Sequence, residues 1–292
     1  MMFPSVRIIK SLPISPRKSR GQHFLIHEQT ARKIVSACNI TNQDTVVEIG
    51  AGYGALTVFL AEVAGIVITV EIDTRLADFL RAQALSPNTV RVVTADILRL
   101  NISSLLEKKT KAILVGNIPY GITTSLFIKF LEESDCIKHA VFMVQKDFCS
   151  RLIAQPGDDA YGLLSIYMQA YATVALLCDV PAAYFYPQPM VDSSVLRVNP
   201  VPEKSWHDPQ EKLFRDLAAA ALAPRRKTIY NCLKKLASRW ALQKAPMQAA
   251  LGEAGIAAQR RGETLSVHEF YRLADAVAKR LRCRGNYRKS AL

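Results

Sequence analysis

A glycine-rich turn after a short apolar run is the first stretch of the chain that could do chemistry. Residues 46–57 read Val-Val-Glu-Ile-Gly-Ala-Gly-Tyr-Gly-Ala-Leu-Thr, with an acid at Glu48. The glycines at 50, 52 and 54 let the backbone turn tightly and pass close to a bound molecule, because no Cβ intervenes. The order differs from the G-x-G-x-x-G spacing of dinucleotide sites, which place a pyrophosphate at a helix N-terminus. An acid in the loop favours a cationic ligand over an anionic one.

Two further acids follow at intervals that suit an adenosyl group. Glu71 comes 21 residues after Gly50, at the end of the next apolar run. A carboxylate at the carboxyl edge of a parallel sheet can accept hydrogen bonds from both hydroxyls of a ribose. Asp96 ends the following run and can accept from the amino group of an adenine. The three features together predict an adenosyl pocket. Glu48 either lines this pocket or only accepts hydrogen bonds from backbone amides of the glycine turn.

A second motif, Asn117-Ile118-Pro119-Tyr120, follows the fourth apolar run. An adenine amine is a poor nucleophile because its lone pair is delocalised into the ring. If the Asn117 side-chain oxygen and the Ile118 carbonyl each accept one N–H, the lone pair localises and points at a sulfonium methyl. Pro119 keeps Ile118 extended, and Tyr120 offers a face for an extruded base. Alignment of donor and acceptor supplies most of the acceleration, so the motif predicts methyl transfer without a metal or a general base, unless it is an ordinary turn.

A sheet is needed to bring these residues to one edge. Between residues 40 and 150, β-branched and aliphatic runs alternate with helix-like segments. The runs predicted to be buried strands are 45–49, 66–70, 90–93, 112–115 and 139–144. This alternation is typical of a mostly parallel, doubly wound sheet.

The pattern changes to helices beyond residue 203. Six of the 14 prolines lie between Pro181 and Pro209, which excludes ordinary helix there. Asp208, Pro209 and Glu211 form an N-terminal helix signature and predict a helix to about residue 222. Two more helices are predicted from apolar stripes, the second of them after a cap at Ser266. The stripes consist of Ile229, Leu233, Leu236 and Trp240, and of Phe270, Leu273, Val277 and Leu281.

The formal charge of +13 is concentrated at the two ends of the chain. Residues 1–33 carry a net charge of +6, residues 34–200 carry −4 and residues 201–292 carry +11. Basic ends around a nearly neutral body favour binding to a polyanion, usually nucleic acid, over a uniformly solvated basic surface. The candidate RNA-binding residues are Arg17, Lys18, Arg20, Arg225, Arg226 and Lys227.

Other features exclude some classes of protein. The six cysteines lie far apart, without a C-x-x-C pair or a histidine cluster, which predicts reduced thiols and no structural metal. No apolar run reaches about 18 residues. Pro4, Arg7, Lys10 and Pro13 interrupt the opening stretch, so neither a membrane span nor a signal peptide is predicted. We therefore expect a cytoplasmic protein.

Taken together, these motifs resemble the small-subunit ribosomal RNA adenine N6-dimethyltransferase family, the KsgA type. The resemblance covers residues 15 to 236 and rests on the segments 21–25, 47–57, 71–73, 96–97, 117–120, 145–146, 161–165, 185–193 and 225–228. It implies an α/β fold, with a Rossmann-like seven-stranded domain that uses S-adenosyl-L-methionine and a small C-terminal all-helical domain. It also implies dimethylation of two adjacent adenosines near the 3′ end of 16S rRNA during ribosome biogenesis.

The resemblance assigns roles to individual residues. His23 and Leu25 would cover the methionine side of the cofactor, and Phe185 would flank the target base opposite Tyr120. The family more often has asparagine where this chain has His23, so this contact could depend on pH. Ala223-Pro224 replaces the usual Asn-Gln before the basic run. The implied catalytic residues are Asn117, Ile118, Tyr120 and Phe185, and the implied cofactor residues are His23, Leu25, Glu48, Gly50, Gly52, Glu71, Ile72, Asp96, Ile97 and Asn117.

We expect a basic extension at 1–20, a methyltransferase domain at 21–202, a helical RNA-binding domain at 203–282 and a basic tail at 283–292. The expected partner of this monomer is the small ribosomal subunit or its 16S rRNA precursor, with no metal and no membrane. Three alternatives remain: a large-subunit rRNA adenine methyltransferase of the antibiotic-resistance type, a non-catalytic nucleic-acid-binding protein of the same fold, and a nicotinamide oxidoreductase. Segments 161–165 and 185–193 favour the small subunit, and the intact Asn-Ile-Pro-Tyr motif favours catalysis.

Overall fold

A computed structural model describes residues 2–17, 20–83, 89–202, 204, 209–224, 226–240 and 244–283 of the chain. They fall into two compact units. The first unit comprises Met1–Cys149 and Thr173–Pro200, and the second comprises Ser150–Ala172 and Val201–Leu292. The expected boundary near residue 203 lies close to the transition between Pro200 and Val201, but the expected methyltransferase domain also contained residues 150–172, which belong to the second unit.

Nine strands lie within the described residues. They are β1 (Phe24–Leu25), β2 (Thr45–Ile49), β3 (Ile66–Glu71), β4 (Val90–Thr94), β5 (Ala112–Asn117), β6 (Ile137–Gln145), β7 (Ala172–Val180), β8 (Phe185–Tyr186) and β9 (Ser193–Pro200). Seven of them form one sheet in the order β4-β3-β2-β5-β6-β9-β7, and β1 pairs separately with β8. Strands β2 to β6 are parallel to their neighbours in this group, and β9 is antiparallel to β6. The five predicted strands are confirmed, each within two residues at either end.

The strand order explains where a ligand can bind. The chain runs from β2 outward to β3 and β4, and then returns to place β5 on the other side of β2. Such a reversal leaves a crevice at the carboxyl ends of the two central strands, where open α/β sheets bind ligands. Strand β2 precedes the glycine turn, and β5 ends at Asn117. The glycine turn and the Asn117 motif therefore lie at the same edge of the sheet.

Helices cover the central strands, which are buried and apolar as expected for parallel strands with helices on their faces. Val46 and Val115 are fully buried and belong to one core cluster with Ile34 and Phe59. The helices that precede β8 in the chain are α1 (Val6–Ser11), α2 (Glu28–Ala37), α3 (Thr57–Val63), α4 (Thr74–Ala82), α5 (Thr123–Glu132), α6 (Lys146–Ile153) and α7 (Leu163–Tyr171).

The second unit adds four helices after β9: α8 (Pro209–Leu222), α9 (Ile229–Arg239), α10 (Lys244–Glu253) and α11 (Val267–Cys283). The three predicted helices are confirmed as α8, α9 and α11, and Trp240 forms the C-cap of α9. A reciprocal cap begins α11, because Ser266 and Glu269 each bond the other's backbone N–H. The predicted cap at Asp208 and the tail at 284–292 lie outside the described residues.

A buried carboxylate explains why the segment before β7 packs with the C-terminal helices. Glu211 accepts hydrogen bonds from the hydroxyls of Tyr171 and Tyr271, at 2.9 and 2.7 Å, and from Lys204 Nζ at 2.8 Å. The Tyr161 hydroxyl donates to the Leu265 carbonyl at 2.9 Å. These partners are distant in sequence, so no local sequence pattern indicates that residues 150–172 belong to the second unit.

None of the described helices is long and apolar enough to cross a membrane. Within the described residues, no group of three or more His, Cys, Asp or Glu side chains is arranged to hold a metal ion. The cysteines at 38, 136, 149, 178 and 232 are free thiols.

Candidate active site

The crevice at the carboxyl ends of β2 and β5 opens into a cavity of about 370 Å³. This volume is within the range of small-molecule sites. Eight of the ten predicted cofactor residues line it: His23, Gly50, Gly52, Glu71, Ile72, Asp96, Ile97 and Asn117. Leu25 and Glu48 lie in a small adjoining cavity beside the glycine turn. Ile118 and Tyr120 also line the main cavity, so the structure brings the two predicted motifs together.

The glycine turn adopts a backbone conformation that other residues rarely reach. Gly50 and Gly52 have φ angles of +68° and +57°, in the left-handed region. A Cβ on Gly52 would lie 2.6 Å from the Phe24 ring, so a side chain there would displace the N-terminal segment. Glycine at position 52 is therefore required by both the backbone and the packing.

Glu71 is oriented by backbone amides, among them those of Asp73 and Gly52. Its Oε1 accepts from the Asp73 N–H at 2.9 Å, and its Oε2 accepts from the Gly52 N–H at 3.0 Å. A carboxylate offers about four acceptor sites, so Glu71 retains capacity for a further donor. Burial raises the pKa of Glu71, although these amides favour its ionised form. Asp96 is similarly fixed through Oδ1, which accepts from the Leu98 N–H at 2.9 Å.

The orientation of the Asn117 amide follows from its hydrogen bond to the His23 carbonyl. Its Nδ2 donates to the His23 carbonyl at 2.7 Å. A carbonyl oxygen only accepts hydrogen bonds, so the amide nitrogen must face it and Oδ1 must point elsewhere. The Ile118 N–H donates to the Met143 carbonyl at 3.0 Å, which fixes the peptide immediately after β5.

His23 connects three parts of the site. Besides its carbonyl contact with Asn117, its ring stacks on Tyr120 with centroids 5.4 Å apart and an interplanar angle of 25°. Its Nδ1 lies 2.7 Å from the Pro187 carbonyl, so Nδ1 carries the hydrogen. The departure from the family pattern at position 23 thus places an imidazole between Tyr120 and residue 187.

Phe185 does not line the cavity. It is 3% exposed and belongs to the buried core cluster that contains Leu25. The reason is the pairing of β8 with β1, which places Phe185 opposite Leu25 and turns both side chains inward. Its predicted contact with the target base stays a prediction, and the structure places His23 beside Tyr120 instead.

The predicted RNA-binding residues lie in two places. Arg17 and Arg20 form ion pairs with Asp73, with nitrogen–oxygen distances of 3.8 and 3.6 Å. Arg226 and Lys227 are exposed just before α9. Lys18 and Arg225 lie outside the described residues.

Glu48 is buried beneath the cavity and bonds residues of α3 and β3. It is 1% exposed and accepts from the hydroxyls of Thr57 and Thr69, at 2.6 and 3.1 Å, and from the Thr57 backbone N–H. One of these donors is a backbone amide, but it belongs to Thr57 at the start of α3 and not to the glycine turn, and the two threonines had no signal in the sequence beyond their polarity. Burial raises the pKa of Glu48 to about 7.

Glu48→Gln should flatten the pH dependence of stability. The raised pKa means that the folded protein holds a proton that the unfolded chain releases, so stability falls as pH rises from about 4.5 through 7. Glutamine keeps the shape of the side chain but does not titrate. Thermal unfolding measured from about pH 5 to 8 should show a smaller decline for Glu48→Gln than for the wild type. The exposed acid Glu62, changed to glutamine, is the control, and equal declines in all three proteins would contradict the assignment.

The sheet order, the glycine turn with Glu71 and Asp96, and the Asn117 motif define a class of protein, the Rossmann-like methyltransferases. More specifically, the chain belongs to the family described as ribosomal RNA adenine dimethylase, whose model it matches over residues 14–278. The predicted family, fold and class of activity are confirmed. Membership implies a methyl donor of the S-adenosylmethionine type and an rRNA substrate.

Individual relatives agree with this assignment. The chain is 42% identical over 281 residues to ribosomal RNA small subunit methyltransferase A of Shouchella clausii, with 94% of each chain covered. A dimethyladenosine transferase from Plasmodium falciparum is similar in structure, with a TM-score of 0.75 and 27% identity over 88% of this chain and 98% of that one. The 23S rRNA methyltransferase ErmE, at a TM-score of 0.66 and 24% identity over 87% of this chain and 99% of that one, shares the fold.

Proposed function

We propose that this enzyme transfers methyl groups from S-adenosyl-L-methionine to the N6 amines of two adjacent adenosines near the 3′ end of 16S rRNA. The substrate is the small ribosomal subunit or its precursor. The observation that carries the proposal is the Asn117 amide, whose nitrogen is engaged by the His23 carbonyl at 2.7 Å. Its oxygen is left to accept an N–H from an adenine amine.

The residues that line the cavity fit the cofactor chemically. The Glu71 carboxylate retains acceptor capacity for ribose hydroxyls, and Asp96 can accept from the adenine amino group. Ile72 and Ile97 supply apolar surface to the adenine, while His23 and Leu25 cover the methionine side. The negative charge of the two acids suits a cationic sulfonium. When bound, the cofactor supplies an electrophilic methyl group.

The chain contributes geometry to the reaction. Asn117 Oδ1 and the Ile118 carbonyl accept the two N–H groups of the amine, which localises its lone pair in the direction of the methyl group. Tyr120 offers a ring face to the extruded base, and His23 covers the opposite face of that ring. After each transfer the nitrogen releases one proton to solvent. The monomethylated amine then keeps one lone pair and one N–H, so the same acceptors serve the second transfer. Each base therefore consumes two equivalents of cofactor.

An unbalanced basic surface on the second unit supports RNA binding there. Residues 217–252 contain seven basic residues and no acidic residue. Five of these seven have exposed side chains in the structure and make no ion pair with any described residue: Arg226, Lys227, Lys234, Lys235 and Arg239. Other cations of the unit are neutralised, since Lys279 and Arg280 both pair with Glu253 and Arg260 pairs with Glu269. We assign the unpaired cations to the phosphate backbone.

Methylation of isolated subunits tests the proposed substrate. The enzyme would be incubated with labelled cofactor and undermethylated small or large ribosomal subunits, followed by nucleoside analysis. We expect label in N6,N6-dimethyladenosine from the small subunit alone. Label from the large subunit would favour the antibiotic-resistance alternative, and tight RNA binding without transfer would favour a non-catalytic protein.

Glu71→Ala should weaken cofactor binding by about tenfold to a hundredfold, because bonds to a charged group contribute roughly 1.5–3 kcal/mol. Titration calorimetry with the cofactor measures the effect. The exposed Glu62→Ala is the matched control and should bind the cofactor normally. Unchanged cofactor affinity in Glu71→Ala, with a loss confined to RNA binding, would mean that the cavity is not the cofactor site.

A further inference from the structure

Asp73 follows two residues that line the cavity, Glu71 and Ile72, and is surrounded by more positive charge than a helix cap needs. Its side chain is fully buried, and it caps α4 by accepting from the Arg75 N–H at 3.2 Å. Three guanidinium groups and one amide converge on its carboxylate: Arg75 at 2.7 Å, Arg20 at 3.6 Å, Arg17 at 3.8 Å and Gln22 at 3.4 Å. The Arg75 guanidinium lowers the pKa of Asp73 to about 2, so the carboxylate is charged at neutral pH.

Two of these partners belong to a wall of the cavity. Residues 20–24 all line it, and we call them the N-terminal wall. Arg20 and Gln22 carry the wall's contacts with Asp73, while the Gln22 Oε1 also accepts from the Arg17 N–H at 2.7 Å. The arginines and the glutamine therefore attach the wall to the carboxylate beyond β3.

The same wall contacts both ends of the site. The His23 carbonyl accepts from the Asn117 amide at 2.7 Å. The Phe24 ring lies against Gly52, whose N–H donates to Glu71. Displacement of this wall would thus loosen the glycine turn as well as the neighbourhood of Asn117.

We propose that Asp73 is a positioning residue that fixes the N-terminal wall and thereby sets the affinity for the cofactor. The inference rests on the proposed function, because it assumes that the cavity binds S-adenosyl-L-methionine. Arg17 and Arg20, which the sequence assigned to RNA, serve the cofactor site in this arrangement. Asp73 acts through the wall and touches neither substrate.

Asp73→Asn separates the charge from the helix cap. Asparagine caps helices about as well as aspartate, so α4 should remain intact and circular dichroism should be unchanged. We expect the Kd and KM for the cofactor to rise by about tenfold, because several charge-assisted contacts are lost. The kcat at saturating cofactor should change by less than about threefold, since the bound cofactor restores the wall. A general loss of folding would not produce this separation of KM from kcat.

Arg75→Gln is the matched control. It removes the closest cation from the same carboxylate, but Arg75 lies on α4 and not on the N-terminal wall. We expect its cofactor affinity to stay near that of the wild type. Arg20→Ala removes the wall's side of the contact and should reproduce the Asp73→Asn defect in the absence of RNA. The double variant Asp73→Asn/Arg20→Ala should be no worse than either single variant, because both remove the same interaction.

Three results would overturn the proposal. Unchanged cofactor affinity in Asp73→Asn, with normal binding by the wild type, would refute the positioning role but leave the proposed function in place. A fall in kcat with an unchanged KM would mean that Asp73 positions Asn117 and does not set the affinity for the cofactor. A loss of RNA binding alone in Arg20→Ala would return that arginine to the RNA interface. Failure of the wild type to bind the cofactor would instead refute the proposed function.

Discussion

Asn117→Ala should lower the rate of methyl transfer by about two orders of magnitude or more, which is the usual cost of deleting a positioned polar group. The alanine removes the acceptor that localises the lone pair of the adenine amine. The affinity for the cofactor should stay within a few-fold of the wild type, because Glu71 and Asp96 remain in place. Single-turnover methylation of undermethylated small subunits, together with calorimetry of cofactor binding, measures both quantities.

A matched control is available outside the cavity. Asn101 caps the short helical turn Ile102–Leu105 with its side chain and does not line the cavity. Asn101→Ala should transfer methyl groups at the normal rate. Near-normal turnover by Asn117→Ala would show that the acceptor is not needed, and a large loss of cofactor affinity would assign Asn117 to binding.

The parallel part of the sheet could be predicted because its strands are buried on both faces and read as continuous apolar runs. The same reasoning missed β9, since Ser193–Pro200 lies in the proline-rich stretch, where ordinary helix was excluded but no strand was predicted. It also missed α10, whose Ala-rich sequence with an internal proline lacks a clear apolar stripe. Strand β7 has six exposed residues in its interior, so its apolar and polar residues do not alternate with burial.

Residue types and spacing were enough to predict Glu71, Asp96 and Asn117, because each directly follows or ends a recognisable strand. The network around Asp73 could not be predicted in this way. Its partners at Arg17 and Arg20 are more than 50 residues distant, and position 73 shows only the signal of a helix cap. The inward orientation of Phe185 depends on a pairing of two-residue strands, which is too short for a sequence pattern.

The charge imbalance near α9 leads to a prediction for RNA binding. Arg225, Arg226 and Lys227 precede α9, which begins at Ile229. Three adjacent cations are unfavourable at the positive end of a helix, so stability gives no reason for them. A phosphate would neutralise the side chains. Substitution of all three by alanine should therefore weaken RNA binding without affecting the cofactor.

Salt dependence measures how many phosphate contacts the three residues make. Each contact contributes about 0.7–0.9 to the slope of log affinity against log salt, so the triple variant should flatten the slope by roughly two to three units. Lys279→Ala/Arg280→Ala is the control, because both side chains already pair with Glu253 and should contribute less to the slope. A triple variant with the wild-type slope would place the RNA contacts elsewhere. Lys234 and Lys235 on α9, and Lys18 in the N-terminal segment, would then be the next residues to change.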